Sequence, residues 1–150
     1  MLIEDALKEL GRQMGVPLRL DHNRTCRLVF DERWTVDIEA PSQHHDSVFL
    51  YAVAGKVPPG AGVEFYKALL EANLFGRETL GATLAVDSAR AEVILQRIVA
   101  MQHVDFMGFV GAIEDLIRAL AAWTERLASQ GQRPAPRTDD STLPVSVIRA

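Results

Sequence analysis

A long apolar stripe near the end of the chain constrains the fold more than any other feature of the sequence. Apolar residues recur at helical spacing from Phe106 to Leu127, and Asp105 stands where an N-cap is expected. At about 1.5 Å per residue, such a helix is about 33 Å long. The rest of the chain must therefore supply an apolar surface long enough to cover this stripe.

Five segments before this helix alternate in the manner of β-strands. Residues 25–30, 34–39 and 47–53 predict an antiparallel meander, and residues 82–86 and 92–99 predict a second hairpin. The third strand is apolar on both faces, so we expect it to be central and covered on both sides.

Two further helices complete the pattern. The first spans residues 1–14 and stops at Gly15, and the second spans residues 63–75, with Gly76 as its C′ residue. The order α-β-β-β-α-β-β-α predicts an α+β fold with helices flanking an antiparallel sheet. We assign this domain to residues 1–128 and predict that the polar, Pro- and Arg-rich segment 129–150 is disordered.

Composition excludes several classes of protein. The 150 residues suffice for one domain, and no apolar run approaches the ~20 residues that cross a bilayer. Acidic residues outnumber basic ones by 20 to 16, which disfavours nucleic acid as a partner. A single cysteine, Cys26, excludes an internal disulfide, and no signal peptide is visible, so we expect a cytoplasmic protein.

No constellation of side chains predicts catalysis. His44 and His45 are neighbours on a predicted loop and would point in opposite directions, which disfavours a shared metal. Cys26 lies on the apolar face of a strand, and Asp37 and Glu39 fit a solvated strand face. We therefore predict no catalytic, metal or cofactor site, and no enzyme.

Two adjacent segments carry a family resemblance. Residues 69–75 read LLEANLF and residues 81–87 read GATLAVD. These resemble the class I chaperones of type III secretion systems, the Tir-chaperone (CesT-like) family, which typically show Leu-Leu-x-x-Asn-Leu, a polar loop and a strand of the kind Ala-Thr-Leu-x-Leu-Asp. Val86 stands where leucine is common, and the order of elements matches over about residues 1–128.

The resemblance implies a homodimer in the bacterial cytoplasm. Such a chaperone binds the N-terminal chaperone-binding segment of one secreted effector in extended form, keeps it secretion-competent and helps to target it to the export apparatus. It uses no ATP of its own, and the secretion ATPase is a further partner that the family allows. By position, the resemblance assigns the dimer interface to Leu69, Leu70, Asn73, Leu74, Leu84 and Val86. Core packing remains an equal alternative for Leu69 and Leu84.

For the client, we expect an apolar groove formed by the first helix and the first two strands. Its predicted residues are Ile3, Leu7, Leu28, Phe30, Trp34, Val36 and Ile38. Strand alternation places some of these in the core.

Two other functions remain open at this point. One is a small dimeric α+β enzyme or ligand sensor, and the other is a secretion-linked regulator that binds a transcription factor. A stoichiometric protein client would distinguish a chaperone from the first of these.

Overall fold

A computed structural model describes residues 1–43 and 46–131 of the chain. The predicted order of elements is confirmed there. The helices are α1 (Ile3–Met14), α2 (Val63–Ala72) and α3 (Phe106–Gly131), and the strands are β1 (Thr25–Phe30), β2 (Trp34–Glu39), β3 (Ser47–Lys56), β4 (Thr83–Asp87) and β5 (Glu92–Ala100). Short 3-10 turns follow α2 and β5, at Leu74–Gly76 and Met101–His103.

The strands form one antiparallel sheet in the order β1-β2-β3-β5-β4. This confirms the α+β prediction and makes β3 the central strand, with β1 and β4 at the two edges. Helix α3 crosses the face of the sheet at β3, β5 and β2, and α1 packs beside α3. The helix whose stripe predicted an apolar surface is thus the one that covers the sheet.

The core lies between this helical layer and the sheet. Phe109, Leu116 and Trp123 of α3 lie in one buried cluster with strand residues such as Leu50 and Leu95, and all are at most 2% exposed. Burying side chains of this size stabilises the fold by roughly 1.5–3 kcal/mol each. The remaining buried residues join the same cluster, so the described chain has one continuous core.

Helix boundaries follow local chemistry at two places that the sequence predicts well. Asp105 caps α3, because its Oδ1 accepts the Gly108 N–H at 2.8 Å. Gly15 ends α1 in the left-handed region at φ 72°, where its N–H donates to the Gly11 carbonyl.

Three other boundaries differ from the prediction by three residues, and the remaining differences are of one or two residues. Helix α2 ends at Ala72, because Phe75 takes φ 55° and starts a new turn, so Gly76 is not its C′ residue. Strand β3 continues to Lys56 along β5. Helix α3 continues to Gly131, three residues into the segment predicted as a tail, and residues 132–150 lie outside the described part of the chain.

The face of the sheet opposite α3 is less covered than predicted. On this outer face of the sheet, Val53 of β3 is 49% exposed, and Ile98 of the adjacent strand β5, which pairs with Phe49, is 60% exposed. The expectation that β3 is covered on both sides is therefore wrong, because α3 takes one face and no described helix packs across the other. Apolar composition on both faces of a strand indicates burial only when a second layer exists.

Candidate protein-binding surfaces

The first candidate surface is the exposed side of α2 and the turn that follows it. Leu70 is 71% exposed and Phe75 is 81% exposed, values that large apolar side chains rarely show without a partner. We call this surface the α2 patch and define it as Val63, Tyr66, Leu70, Leu74 and Phe75.

The six predicted dimer residues fall into three groups: exposed residues in or beside the α2 patch, core residues, and Asn73. Leu70 and Leu74 belong to it, and Val86 is 37% exposed on the adjacent strand β4. Leu69 and Leu84 lie in the core at 5% exposed, as the packing alternative allowed. Asn73 contacts its own chain, because its side-chain amide hydrogen-bonds the backbone of Leu84. The interface assignment itself stays a prediction.

The seven predicted client residues are mostly covered. Ile3, Leu7, Leu28, Val36 and Ile38 lie in the core and are at most 6% exposed. Ile3 lines a cavity of about 580 Å³ at the start of α1, and the other four side chains are enclosed in the core, so for these five direct contact stays a prediction that the folded chain does not favour. Phe30 and Trp34 are half-buried at the tip of the β1–β2 hairpin, where a partner can reach them.

The second candidate surface is the edge of the sheet at β1. The Ala40 N–H donates to the Arg24 carbonyl at 3.0 Å, which makes this a bonded pair of the β1–β2 ladder. Because bonding alternates along an antiparallel pair, Thr25, Arg27 and Val29 direct their N–H and C=O groups away from β2.

Asp21 closes this edge at its first residue only. The Thr25 N–H donates to Asp21 Oδ1 at 2.8 Å, and the Asp21 N–H donates to the Thr25 carbonyl at 2.8 Å. These bonds lower the pKa of the Asp21 carboxyl, with the Thr25 N–H as the main cause. Within residues 1–43 and 46–131, no backbone group bonds Arg27 or Val29 on this side. The β1 edge is therefore open over these two outward-facing residues.

A groove runs beside the open edge. Its volume is about 490 Å³, and its walls include Leu18, Cys26, Arg27 and Tyr51. Arg27 holds Asp37 on the next strand through two bonds, Nε–Oδ1 at 2.7 Å and Nη2–Oδ2 at 3.0 Å. Burial raises the pKa of the Tyr51 phenol, and the nearby Asp37 carboxylate adds to this. The groove is thus lined mainly by polar and charged side chains, including the Arg27–Asp37 pair, and Pro17 and Leu18 form its apolar part.

A second opening separates β2 from β3 near the hairpin tip. Asp37, Ile38 and Glu39 pair with β3, whereas Trp34 and Thr35 do not. A cavity of about 340 Å³ fills this gap, and it reaches Leu120 of α3 between Trp34 and Val53. The Arg33 guanidinium stacks over the Trp34 ring at 4.4 Å.

The described residues give little support to a metal site, a reactive thiol or a membrane-spanning helix. No group of His, Cys, Asp and Glu side chains among the described residues is arranged to hold a metal ion. Cys26 is buried, and burial raises the pKa of its thiol, which disfavours the reactive thiolate. His44 and His45 lie outside the described residues. Within the described ranges, no helix has both the length and the apolar character that a bilayer crossing requires.

Comparisons with known proteins agree with this geometry. The model of the Tir chaperone protein (CesT) family matches residues 5–124. A curated protein of Chlamydia pneumoniae is 27% identical over 127 residues, which cover 84% of this chain and 96% of that protein.

Solved structures show the same fold. The ExsC–ExsE complex contains a chain with TM-score 0.70 and 18% identity, covering 82% of this chain and 91% of that one. The HopA1–SchA chaperone–effector complex gives TM-score 0.68 and 15% identity, covering 82% and 93%. The family match spans most of the chain and confirms the resemblance of residues 69–87, so the chain belongs to the Tir chaperone protein (CesT) family of type III secretion chaperones.

Proposed function

We propose that this chaperone binds the N-terminal segment of a secreted effector by adding it as a strand to the β1 edge. The client is held in extended form, stays competent for secretion and is delivered to the export apparatus. The protein works as a homodimer in the bacterial cytoplasm without chemistry of its own, and the secretion ATPase is a partner that the family allows.

The open backbone of Arg27 and Val29 carries the proposal. An extended peptide gains affinity by bonding such an edge, and it gains specificity by placing alternate side chains in pockets beside the edge. The groove of about 490 Å³ lies there, with Leu18 and Tyr51 in its walls. Val29 is exposed, and Phe30 and Trp34 are half-buried at the end of the same hairpin.

The dimer part of the proposal rests on the α2 patch. Its five residues are too exposed and too apolar for a chain that stays alone. A two-fold dimer would bury this patch against its own copy, since such interfaces are self-complementary.

A proline at position 29 tests strand addition directly. The Val29 N–H points away from β2, so Val29→Pro removes a donor to the client and leaves the β1–β2 ladder bonds intact. We expect at least about tenfold weaker binding of the effector encoded beside the chaperone gene, measured by calorimetry on the co-purified pair after separation.

Val29→Thr is the matched control, because it keeps both the N–H and the β-branched shape. We expect it to retain most of the affinity. If Val29→Pro folds normally and binds as tightly as the parent chain, strand addition at β1 is wrong. If the chain captures no protein client at all, the chaperone proposal itself fails.

A further inference from the structure

The two edges of the sheet differ in whether the chain itself bonds their outward-facing backbone groups. At the β4 edge, Leu84 directs its N–H and C=O away from β5, and the side chain of Asn73 bonds both. The Leu84 N–H donates to Asn73 Oδ1 at 2.8 Å, and Asn73 Nδ2 donates to the Leu84 carbonyl at 3.1 Å. A side-chain amide thus takes the position of a neighbouring strand.

Thr79 bonds both backbone groups of Ala82, the outward-facing residue before Leu84. The Ala82 N–H donates to the Thr79 carbonyl at 3.1 Å, and Thr79 Oγ1 donates to the Ala82 carbonyl at 2.6 Å. The Thr79 side chain is fully buried, so these bonds are shielded from water. Both backbone groups of Ala82 and both of Leu84 are therefore occupied within the chain.

The loop between α2 and β4 is built to hold these two side chains. Gly76 and Gly81 approach so closely that a Cβ on Gly76 would lie 3.0 Å from the Gly81 Cα. The Gly81 N–H donates to the Gly76 carbonyl at 3.0 Å. Trp123 of α3 fixes the same loop, since its Nε1–H donates to the Glu78 carbonyl at 2.9 Å.

Only Val86 remains to offer outward backbone groups on β4. One residue later, Asp87 Oδ1 accepts the N–H groups of Ala89 and Arg90 and forms the hairpin turn. A strand needs successive outward residues, two apart, to pair with. The β1 edge offers such a pair at Arg27 and Val29, and the β4 edge does not.

We propose that Asn73 and Thr79 close the β4 edge to strand addition, so that the sheet can be extended only at β1. This rests on the proposed function in taking strand addition as the way a client binds. Edge strands invite unwanted pairing with other chains, and proteins commonly block them. In this chaperone the block makes the two edges unequal and assigns the client to one of them.

The same closure determines how a second copy can bind. A partner strand cannot bond β4 at Ala82 or Leu84 while Asn73 and Thr79 hold those positions. The two subunits must then meet through side chains of the α2 patch rather than through one continuous sheet. Asn73 thereby acts on the interface without lying in it.

Substitutions in the client-free chain test the closure. We expect Asn73→Ala to raise the amide exchange rate of Leu84 about fivefold or more, while the amide of Leu95 in β5 keeps its rate. Light scattering should then show association that grows with concentration beyond the mass of the parent protein. Thr79→Val frees the Ala82 carbonyl and leaves the Ala82 N–H bonded to the Thr79 backbone, so we expect the same concentration-dependent association with no change of exchange at Ala82.

Two controls share the residue types. Asn23→Ala removes an exposed asparagine whose side chain makes no bond to a strand edge, and Thr79→Ser keeps the hydroxyl; we expect both to behave like the parent. If Asn73→Ala does not fold, Asn73→Leu serves, because it keeps the size of the side chain and lacks both the acceptor for the Leu84 N–H and the donor to the Leu84 carbonyl.

Three results would overturn the closure: unchanged exchange at Leu84, equal acceleration at Leu84 and Leu95, or an unchanged mass in the folded variants. None of these measurements involves a client. Failure of effector binding would therefore count against the proposed function and leave this inference untouched.

Discussion

At the scale of single residues, Trp123 connects the helical layer to the loop that carries Asn73 and Thr79. Its ring is 2% exposed, its Nε1–H donates to the Glu78 carbonyl, and Arg126 stacks on it at 4.4 Å. Arg126 also bonds the Glu78 carboxylate at 2.7 Å. One indole therefore contacts two groups directly, the Glu78 carbonyl and the Arg126 guanidinium, and Arg126 in turn holds the Glu78 carboxylate.

We expect Trp123→Phe to lower the free energy of unfolding by about 2–3 kcal/mol, measured by urea denaturation. The smaller ring leaves a cavity, and the Glu78 carbonyl loses its donor. Trp34→Phe is the matched control, since Trp34 is half-buried and its ring nitrogen donates no bond. An equal loss in both variants would contradict the role given to the Trp123 bond.

Alanine substitutions at Gly60 and Gly76 distinguish the cost of backbone strain from the cost of steric crowding. Gly76 has φ 63° and Gly60 has φ 73°, but a Cβ on Gly60 meets nothing within 4 Å, whereas one on Gly76 lies 3.0 Å from the Gly81 Cα. Thermal unfolding should show Gly60→Ala to be destabilised by about 1 kcal/mol and Gly76→Ala by about 2 kcal/mol or more. Equal effects would show that the close approach of the two glycines costs nothing.

Acid should weaken the capping of β1 by Asp21. The folded pKa of Asp21 lies below its ordinary value of 3.8, mainly because of the Thr25 N–H. Its contribution is therefore complete well above pH 3.8 and is lost as the pH falls through the folded pKa. We expect Asp21→Asn to be less stable than the parent at pH 7, with a difference that shrinks in urea titrations below about pH 3.8. A difference independent of pH would contradict this linkage.

At the scale of elements, the α2 patch is the natural place for subunit contact. Leu70→Asp should convert a dimer into a monomer of 16.6 kDa, measured by light scattering, because the charge would be buried in an apolar interface. Met107→Asp is the matched control, since Met107 is on a helix and is also 71% exposed. A dimer that survives Leu70→Asp would place the interface elsewhere.

Local patterns predicted the elements well and the ends of some of them poorly. Asp105 and Gly15 signal helix boundaries through bonds within a few residues, so the sequence contains the information. Helix α2 ends early because Phe75 takes φ 55° and Asn73 bonds Leu84, a contact made across eleven residues. No periodicity reveals such a contact, since it depends on where β4 lies.

The binding surfaces were harder to predict for the same reason. Alternation correctly separated Leu28, Val36 and Ile38 from their polar neighbours, but an apolar residue is equally suited to a core and to a groove. The open edge at Arg27 and Val29 follows from backbone direction, which side-chain patterns do not report. The register of β1 and β2 was needed to find it.

At the scale of the whole molecule, the chaperone is a two-layer structure with one covered and one open face. Helices α1 and α3 cover the inner face, and Val29, Val53 and Ile98 lie exposed on the outer face. The α2 patch lies near one edge of the sheet, and the β1 groove lies at the opposite edge. The two proposals thus assign subunit contact and client contact to opposite edges of each sheet.

The gap between β2 and β3 also has a consequence for the way the molecule comes apart. Strand β3 pairs with β5 along its length, whereas β2 holds β3 only through Asp37, Ile38 and Glu39. Weakly attached segments open as local cooperative units before the global transition. We expect the β1–β2 hairpin to open as such a unit, so that a protease under native conditions cuts at its tip first, near Asp31 and Glu32. The strand to which we assign the client would then belong to a part of the chaperone that opens before the rest.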